Sequence, residues 1–241
     1  MTTSSYDQIA PWYDESVRNG SLFHDLFVPG IFTLLGDIAG QHICDLACGQ
    51  GALTRQLAQK GTTVVGIDLS LQLLQIARQN ETQEPLGIMY LHDDAQVLHA
   101  VADASFDGVL CNVALMDIPD LAATFRAIQR ILRPAGWFVC SITHPCFQTP
   151  LSSWIGEQDG AMSRAVRGYF EEKFWRSDNP HGVRGQVGAY HRTLSTYINT
   201  LVAAGLAIER IVEPQATGVI ARRVPGSKEV PAMLLIRCRK I

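Results

Sequence analysis

No stretch of this sequence approaches the roughly 20 uninterrupted apolar residues that a helix needs to cross a bilayer, so no membrane partner is expected. The start, Met1-Thr2-Thr3-Ser4-Ser5-Tyr6-Asp7, lacks the basic and then apolar pattern of a secretory signal, and a cytoplasmic location is expected. A strong excess of one charge is also missing. A net charge of −3 offers no broad attraction to polyphosphate, so nucleic acid is not an expected partner. The six cysteines, at 44, 48, 111, 140, 146 and 238, show no paired C-x-x-C spacing and fall mostly in apolar runs. Buried free thiols are expected, rather than a disulfide framework or a metal site. Internal repeats and low-complexity tracts are absent too, and nothing in the chain sets its oligomeric state.

What is present is a chain of 241 residues, 47% of them hydrophobic, enough for one large α/β domain with a full core. Short apolar runs alternate with amphipathic stretches. Strands are expected at 42–46, 63–68, 87–92, 106–111 and 137–143, with helices at 52–60, 70–82 and 120–132 between them. A late helix at 193–204 and strands at 206–213 and 232–239 follow. Such alternation predicts a mostly parallel sheet covered on both faces. Ahead of it, Tyr6 to Arg18 reads as a short helix, and Leu22 to Ile38 as helical material interrupted at Pro29-Gly30, so residues 1–41 form an N-terminal helical cap.

The most informative segment is Ile43-Cys44-Asp45-Leu46-Ala47-Cys48-Gly49-Gln50-Gly51, followed by Val64-Val65-Gly66-Ile67-Asp68. An apolar run ending in an acid, a glycine-rich turn, an amphipathic stretch and a second apolar run ending in an acid make a nucleoside-binding unit. Gly49 and Gly51 let the backbone take positive φ and approach a ligand closely. Asp68, 17 residues after Gly51, stands where a carboxylate accepts hydrogen bonds from ribose hydroxyls; capping the following helix is the lesser alternative. Asp45 discriminates among ligands. A carboxylate just before the loop repels a pyrophosphate but recruits an ammonium group.

With these residues the chain resembles the class I S-adenosylmethionine-dependent methyltransferases, whose first motif has an acid, small residues and G-x-G at this spacing. The resemblance implies S-adenosylmethionine as cofactor and a Rossmann-like doubly wound, mostly parallel seven-stranded sheet with an antiparallel last strand. His92-Asp93-Asp94-Ala95 is similar to the third-strand end that faces the adenine amine, which carries that role to Asp94 and Ala95, or leaves a solvated turn. Phe106 to Asn112 is similar to the fourth strand, beneath the methionine part, though Asn112 can also serve neighbouring backbone. Ile131 to Trp137 resembles the turn that opens the fifth strand. The likeness covers 43–143, with more over 190–213. It implies cofactor contacts at Asp45, Ala47, Gly49, Gly51, Asp68, Leu69, Asp94, Ala95, Asn112 and, from an N-terminal helix that closes over the cofactor in such enzymes, Tyr13; Tyr6 belongs to the same helix, and packing is the alternative for both. Ala47 and Ala135 stand where many members have glycine.

Residues 144–191 break the pattern of short loops. They hold Phe147, Trp154, Tyr169, Phe170, Phe174, Trp175 and Tyr190, seven of the chain's nineteen aromatics, which argues for an ordered lid over an acceptor pocket rather than disorder. A decoration on the sheet edge is the alternative. Methyl transfer asks mainly for positioning in a dry pocket. A hydroxyl acceptor also needs a base, and His144 and His191 are the candidates. A small-molecule acceptor is expected, with oxygen favoured over nitrogen or carbon. Two rivals stand beside this: a short-chain-type NAD(P)-dependent oxidoreductase, suggested by Tyr169-x-x-x-Lys173, and a S-adenosylmethionine-binding protein without transferase activity.

Overall fold

The computed structural model describes residues 4–19, 22–156, 162–216, 221–222 and 226–241, with the backbone alone over 22–27. Met1 to Thr3 of the expected N-terminal cap and residues 157–161 of the expected lid lie outside the described residues.

A seven-stranded sheet carries the fold: β1 (His42–Leu46), β2 (Thr63–Asp68), β3 (Met89–His92), β4 (Phe106–Asn112), β5 (Leu132–Thr143), β10 (Leu206–Val212) and β11 (Met233–Lys240). Their spatial order is β10-β11-β5-β4-β1-β2-β3. Only β11 runs against its neighbours, pairing antiparallel with both β10 and β5. The doubly wound sheet expected from the sequence is thus observed, with its antiparallel strand.

The near-continuous apolar runs of the strands are explained by burial on both faces. Consecutive residues divide between two cores: Val109, Cys111, Phe138 and Cys140 point one way, Leu110 and Val139 the other. The first face is covered by α5 (Leu121–Ile131) and α7 (Leu194–Ala203). The second is covered by α2 (Leu22–Leu35) and α3 (Ala52–Gln59). Side chains set the helix starts, as Ser70 caps α4 (Leu71–Gln83), Asp120 caps α5 and Thr193 caps α7, each accepting from the backbone N–H three residues on.

The N-terminal part comprises a 3₁₀ turn (Ser5–Gln8), α1 (Ala10–Arg18) and α2. The expected interruption at Pro29-Gly30 does not occur, for α2 runs through both residues. Gly30 is there for packing: a Cβ would stand 3.0 Å from Leu235 Cδ2, so the glycine lets the helix settle on β11.

Because β1 lies between β2 and β4, the strand order reverses at its end and opens a crevice beyond the carboxyl ends of β1 and β4. The stretch 144–191 is more regular than its sequence suggests. It holds a hairpin of β6 (Ser153–Gly156) and β7 (Met162–Ala165), a second antiparallel pair of β8 (Lys173–Trp175) and β9 (Ala189–His191), and the single turn α6 (Val183–Gln186).

Candidate active site

The turn from β1 into α3 is built by left-handed residues. Ala47, Gly49 and Gly51 have φ of 56°, 58° and 82°. Gly51 admits no side chain, since a Cβ would lie 2.3 Å from the Tyr90 hydroxyl. The loop therefore turns its backbone toward the crevice.

Asp45, the penultimate residue of β1, lies deep in this crevice. Its Oδ2 accepts a 2.6 Å hydrogen bond from Thr54 Oγ1. Burial raises its pKa to about 7, opposed by the Thr54 bond and assisted by the nearby Asp68 charge. Asp68 ends the neighbouring strand and accepts from the Gly49 and Ser70 amides, both at 2.7 Å. Burial raises its pKa as well, against those backbone bonds. Asn112, at the end of β4, accepts from Ser141 Oγ at 2.6 Å, which commits its carbonyl oxygen and leaves its amide N–H groups as donors.

One cavity of about 740 Å³ opens over these strand ends. Of the residues expected at a site, Tyr6, Tyr13, Asp45, Ala47, Gly49, Asn112 and His191 share its wall. Asp68 stands behind the wall, joined to it through Gly49. Leu69, Asp94 and Ala95 also stand outside it: Asp94 is turned to the Gln96 amides and Ala95 is packed in the core. Gly51 serves the turn rather than the wall.

The two histidines differ. His144 is buried outside the cavity wall, with Nε2 2.7 Å from Glu213 Oε1 and Nδ1 accepting from the Cys146 amide at 3.2 Å. His191 lines the cavity, and its Nε2 lies 2.8 Å from the Tyr169 carbonyl oxygen. A carbonyl only accepts, so Nε2 carries the proton and Nδ1 carries the lone pair.

Two further elements close the cavity. Tyr6 and Tyr13 meet edge to face at 5.2 Å, and the Tyr6 hydroxyl donates to Asp117 Oδ2 at 3.2 Å. Arg184 of α6 pairs with the same carboxylate. The aromatic stretch contributes Trp175 and Tyr190 to the wall, whereas Phe170 is 87% exposed. The Tyr-Lys pair of the hydride-transfer reading does not form. The Tyr169 hydroxyl accepts from the Leu194 amide at 2.9 Å, and Lys173 pairs with Glu171 at 2.7 Å.

Thr54, Gln50, Arg164 and Arg184 belong to this arrangement without having been singled out in the sequence. Gln50 alone carried a signal, its place between two loop glycines.

Comparison with known proteins identifies the family. Residues 44–140 match the family model described as a methyltransferase domain. The solved S-adenosylmethionine dependent methyltransferase of Mesorhizobium loti is 30% identical, with a TM-score of 0.77 over 92% of this chain and 99% of that one. The chain belongs to the class I S-adenosylmethionine-dependent methyltransferases. The [4+2]-cyclase SpnF, 15% identical with a TM-score of 0.68 over 100% of this chain and 97% of its own, shares the fold alone. A ubiquinone biosynthesis O-methyltransferase of Paracidovorax citrulli is 36% identical over 139 residues, 56% of this chain and 58% of that one. This methyltransferase spans about half the length of the curated relatives it matches.

The family's cofactor is S-adenosylmethionine, and the residues present fit it. Asp45 is a buried carboxylate at the wall with one described donor, Thr54. The Gln50 Nε2 group is buried in the same wall without a partner among the described residues. A Cβ on Gly49 would reach the Tyr13 ring at 3.9 Å, so the glycine keeps the gap between loop and N-terminal helix open. An acid for an ammonium, an amide for a carboxylate and a cradle without a side chain suit the amino-acid end of that molecule. Among the described residues, no helix is long and apolar enough to cross a membrane.

Proposed function

We propose that this methyltransferase moves a methyl group from S-adenosylmethionine to an oxygen of a small-molecule acceptor, with His191 taking the acceptor's proton. The observation that carries the reading is that one cavity wall holds both Asp45 and Gly49 at one part and His191, Trp175 and Tyr190 at another. That leaves room for an acceptor beside the cofactor and disfavours a cofactor-binding protein without transfer.

When bound, S-adenosylmethionine supplies an electrophilic methyl group on a sulfonium that departs as a neutral thioether. The protein has to bind, orient and exclude water. Asp45 would pair with the ammonium, Asp68 would take the ribose hydroxyls from behind the wall, Asp94 and Ala95 would border an adenine reaching beyond the cavity, and the Asn112 amide and Gln50 would donate toward the amino-acid end. Residues 144–191 act as the lid and residues 1–41 as the cap. The Tyr169 carbonyl holds His191 Nε2–H at 2.8 Å, which aims Nδ1 as the acceptor of a hydroxyl proton. The O-methyltransferase names of the relatives support oxygen as the accepting atom.

Titration calorimetry with S-adenosylmethionine, its demethylated product and NADP(H), on wild type and Asp68→Ala, tests the reading. The first two ligands bind wild type and lose affinity in the variant; binding of NADP(H) alone overturns it. Transfer of labelled methyl groups across a panel of phenols, amines and acids then fixes the accepting atom.

A further inference from the structure

The wall of the cavity contains a positive charge, Arg164, that pairs with no acid among the described residues. Arg164, in β7, is fixed by four contacts. Its Nε donates to the Phe147 carbonyl at 2.8 Å, and its Nη2 to Gln148 Oε1 at 3.1 Å and Ser152 Oγ at 2.5 Å. Its guanidinium carbon lies 4.9 Å over the Trp154 ring. All four partners are neutral.

Four described carboxylates of this part of the fold are committed elsewhere. Asp117 belongs to Arg184, Glu171 to Lys173, Glu213 to His144, and Glu172 accepts from Thr193 and Thr196. Among the described residues no acid makes an ion pair with Arg164. Burial alone depresses its pKa, with no opposing charge to raise it. Arg164 is half-buried, and a partly desolvated guanidinium without an acid partner among the described residues gains from a ligand that supplies one.

The remaining hydrogen-bond capacity is on the donor side. Nη2 has both hydrogens engaged, so Nη1 is the nitrogen left over. Gln148 spends its oxygen on Arg164, which leaves its amide N–H groups, and both residues line the cavity.

We infer that Arg164 and Gln148 form an anion subsite in the acceptor part of the cavity, so that the acceptor is a small organic acid held by its carboxylate. One charge and one uncommitted guanidinium nitrogen match a carboxylate rather than a phosphate dianion. Trp175 and Tyr190 in the same wall suit a flat ring beside it. The inference rests on the methyltransferase reading and names its substrate class.

The test uses the protein saturated with demethylated cofactor, titrated with 3,4-dihydroxybenzoate and with its neutral isostere 3,4-dihydroxybenzamide. The acid binds wild type at least about tenfold more tightly, as a charge-assisted hydrogen bond requires. Arg164→Gln removes that preference and Arg164→Lys retains part of it. Gln148→Glu removes it with Arg164 still in place, by supplying the counter-charge internally. Cofactor-product affinity stays unchanged in all three variants and shows that they fold. Equal binding of acid and amide, a preference that survives Arg164→Gln, or binding of neither overturns the subsite and leaves the methyltransferase reading standing. Failure to bind the cofactor product overturns that reading instead.

Discussion

The Nε2 atom of His191 lies 2.8 Å from the carbonyl oxygen of Tyr169, and this single contact decides which ring nitrogen is basic. His191 ends β9, and Tyr169 lies just ahead of the partner strand β8. The hairpin thus fixes the tautomer, and the cavity wall receives the ring.

His191→Gln should keep the affinity for cofactor and lower kcat by about 10² to 10⁴, the range for loss of a general base. Single-turnover kinetics with labelled methyl donor, together with calorimetry, check this. An unchanged kcat assigns the proton to another group, and His144→Gln is the control with little expected effect on turnover.

Asp45 makes stability and cofactor binding respond oppositely to pH. Its folded pKa of about 7 lies above the unfolded carboxylate value, so the folded state holds the extra proton between those values. Stability of the ligand-free protein therefore falls as pH rises from about 4 to about 7, by up to roughly 4 kcal/mol for this group alone. Binding of an ammonium needs the ionised form and strengthens over the same interval. Asp45→Asn should flatten both responses and raise stability at pH 8 while abolishing binding. Urea unfolding and calorimetry at several pH values measure the two together.

Tyr6 ties the N-terminal cap to Asp117 and, through it, to Arg184. Tyr6→Phe removes a hydrogen bond to a carboxylate, an effect of about 1.5 to 3 kcal/mol where the group is buried. Faster amide exchange in residues 5–18 and a several-fold faster release of cofactor are expected, with the global unfolding midpoint little changed. An unaltered release rate denies the cap a role in retention.

Ala135 stands at φ 59° in the turn that opens β5. The left-handed region costs an alanine about 1 kcal/mol or more relative to glycine. Ala135→Gly should raise stability by about 0.5 to 1 kcal/mol, the residue being exposed and free to lose its Cβ. Ala135→Val should lower it, and thermal unfolding of the two variants gives the sign.

Much of this was legible in the sequence because the relevant physics is local. The apolar runs name the buried strands, the caps Ser70, Asp120 and Thr193 mark where helices begin, and Gly49 and Gly51 mark the turn. Pro29 misled for the same reason. A local breaker was overridden by the packing of α2 on β11 around Gly30.

The alternation of strands and helices, the acid near the end of β1 and the glycine turn beside it are thus determined by the sequence alone, through periodicity and turn chemistry, whereas the strand order was set by the tertiary structure. Which histidine meets the cavity was decided only in three dimensions. His144 and His191 look alike in one dimension, and the partners that separate them, Glu213 and the Tyr169 carbonyl, are 69 and 22 residues away. The same holds for Arg164, whose described partners, all neutral, are brought to it by tertiary packing. A charge of this kind is recognised by what surrounds it in space, and no local pattern records that.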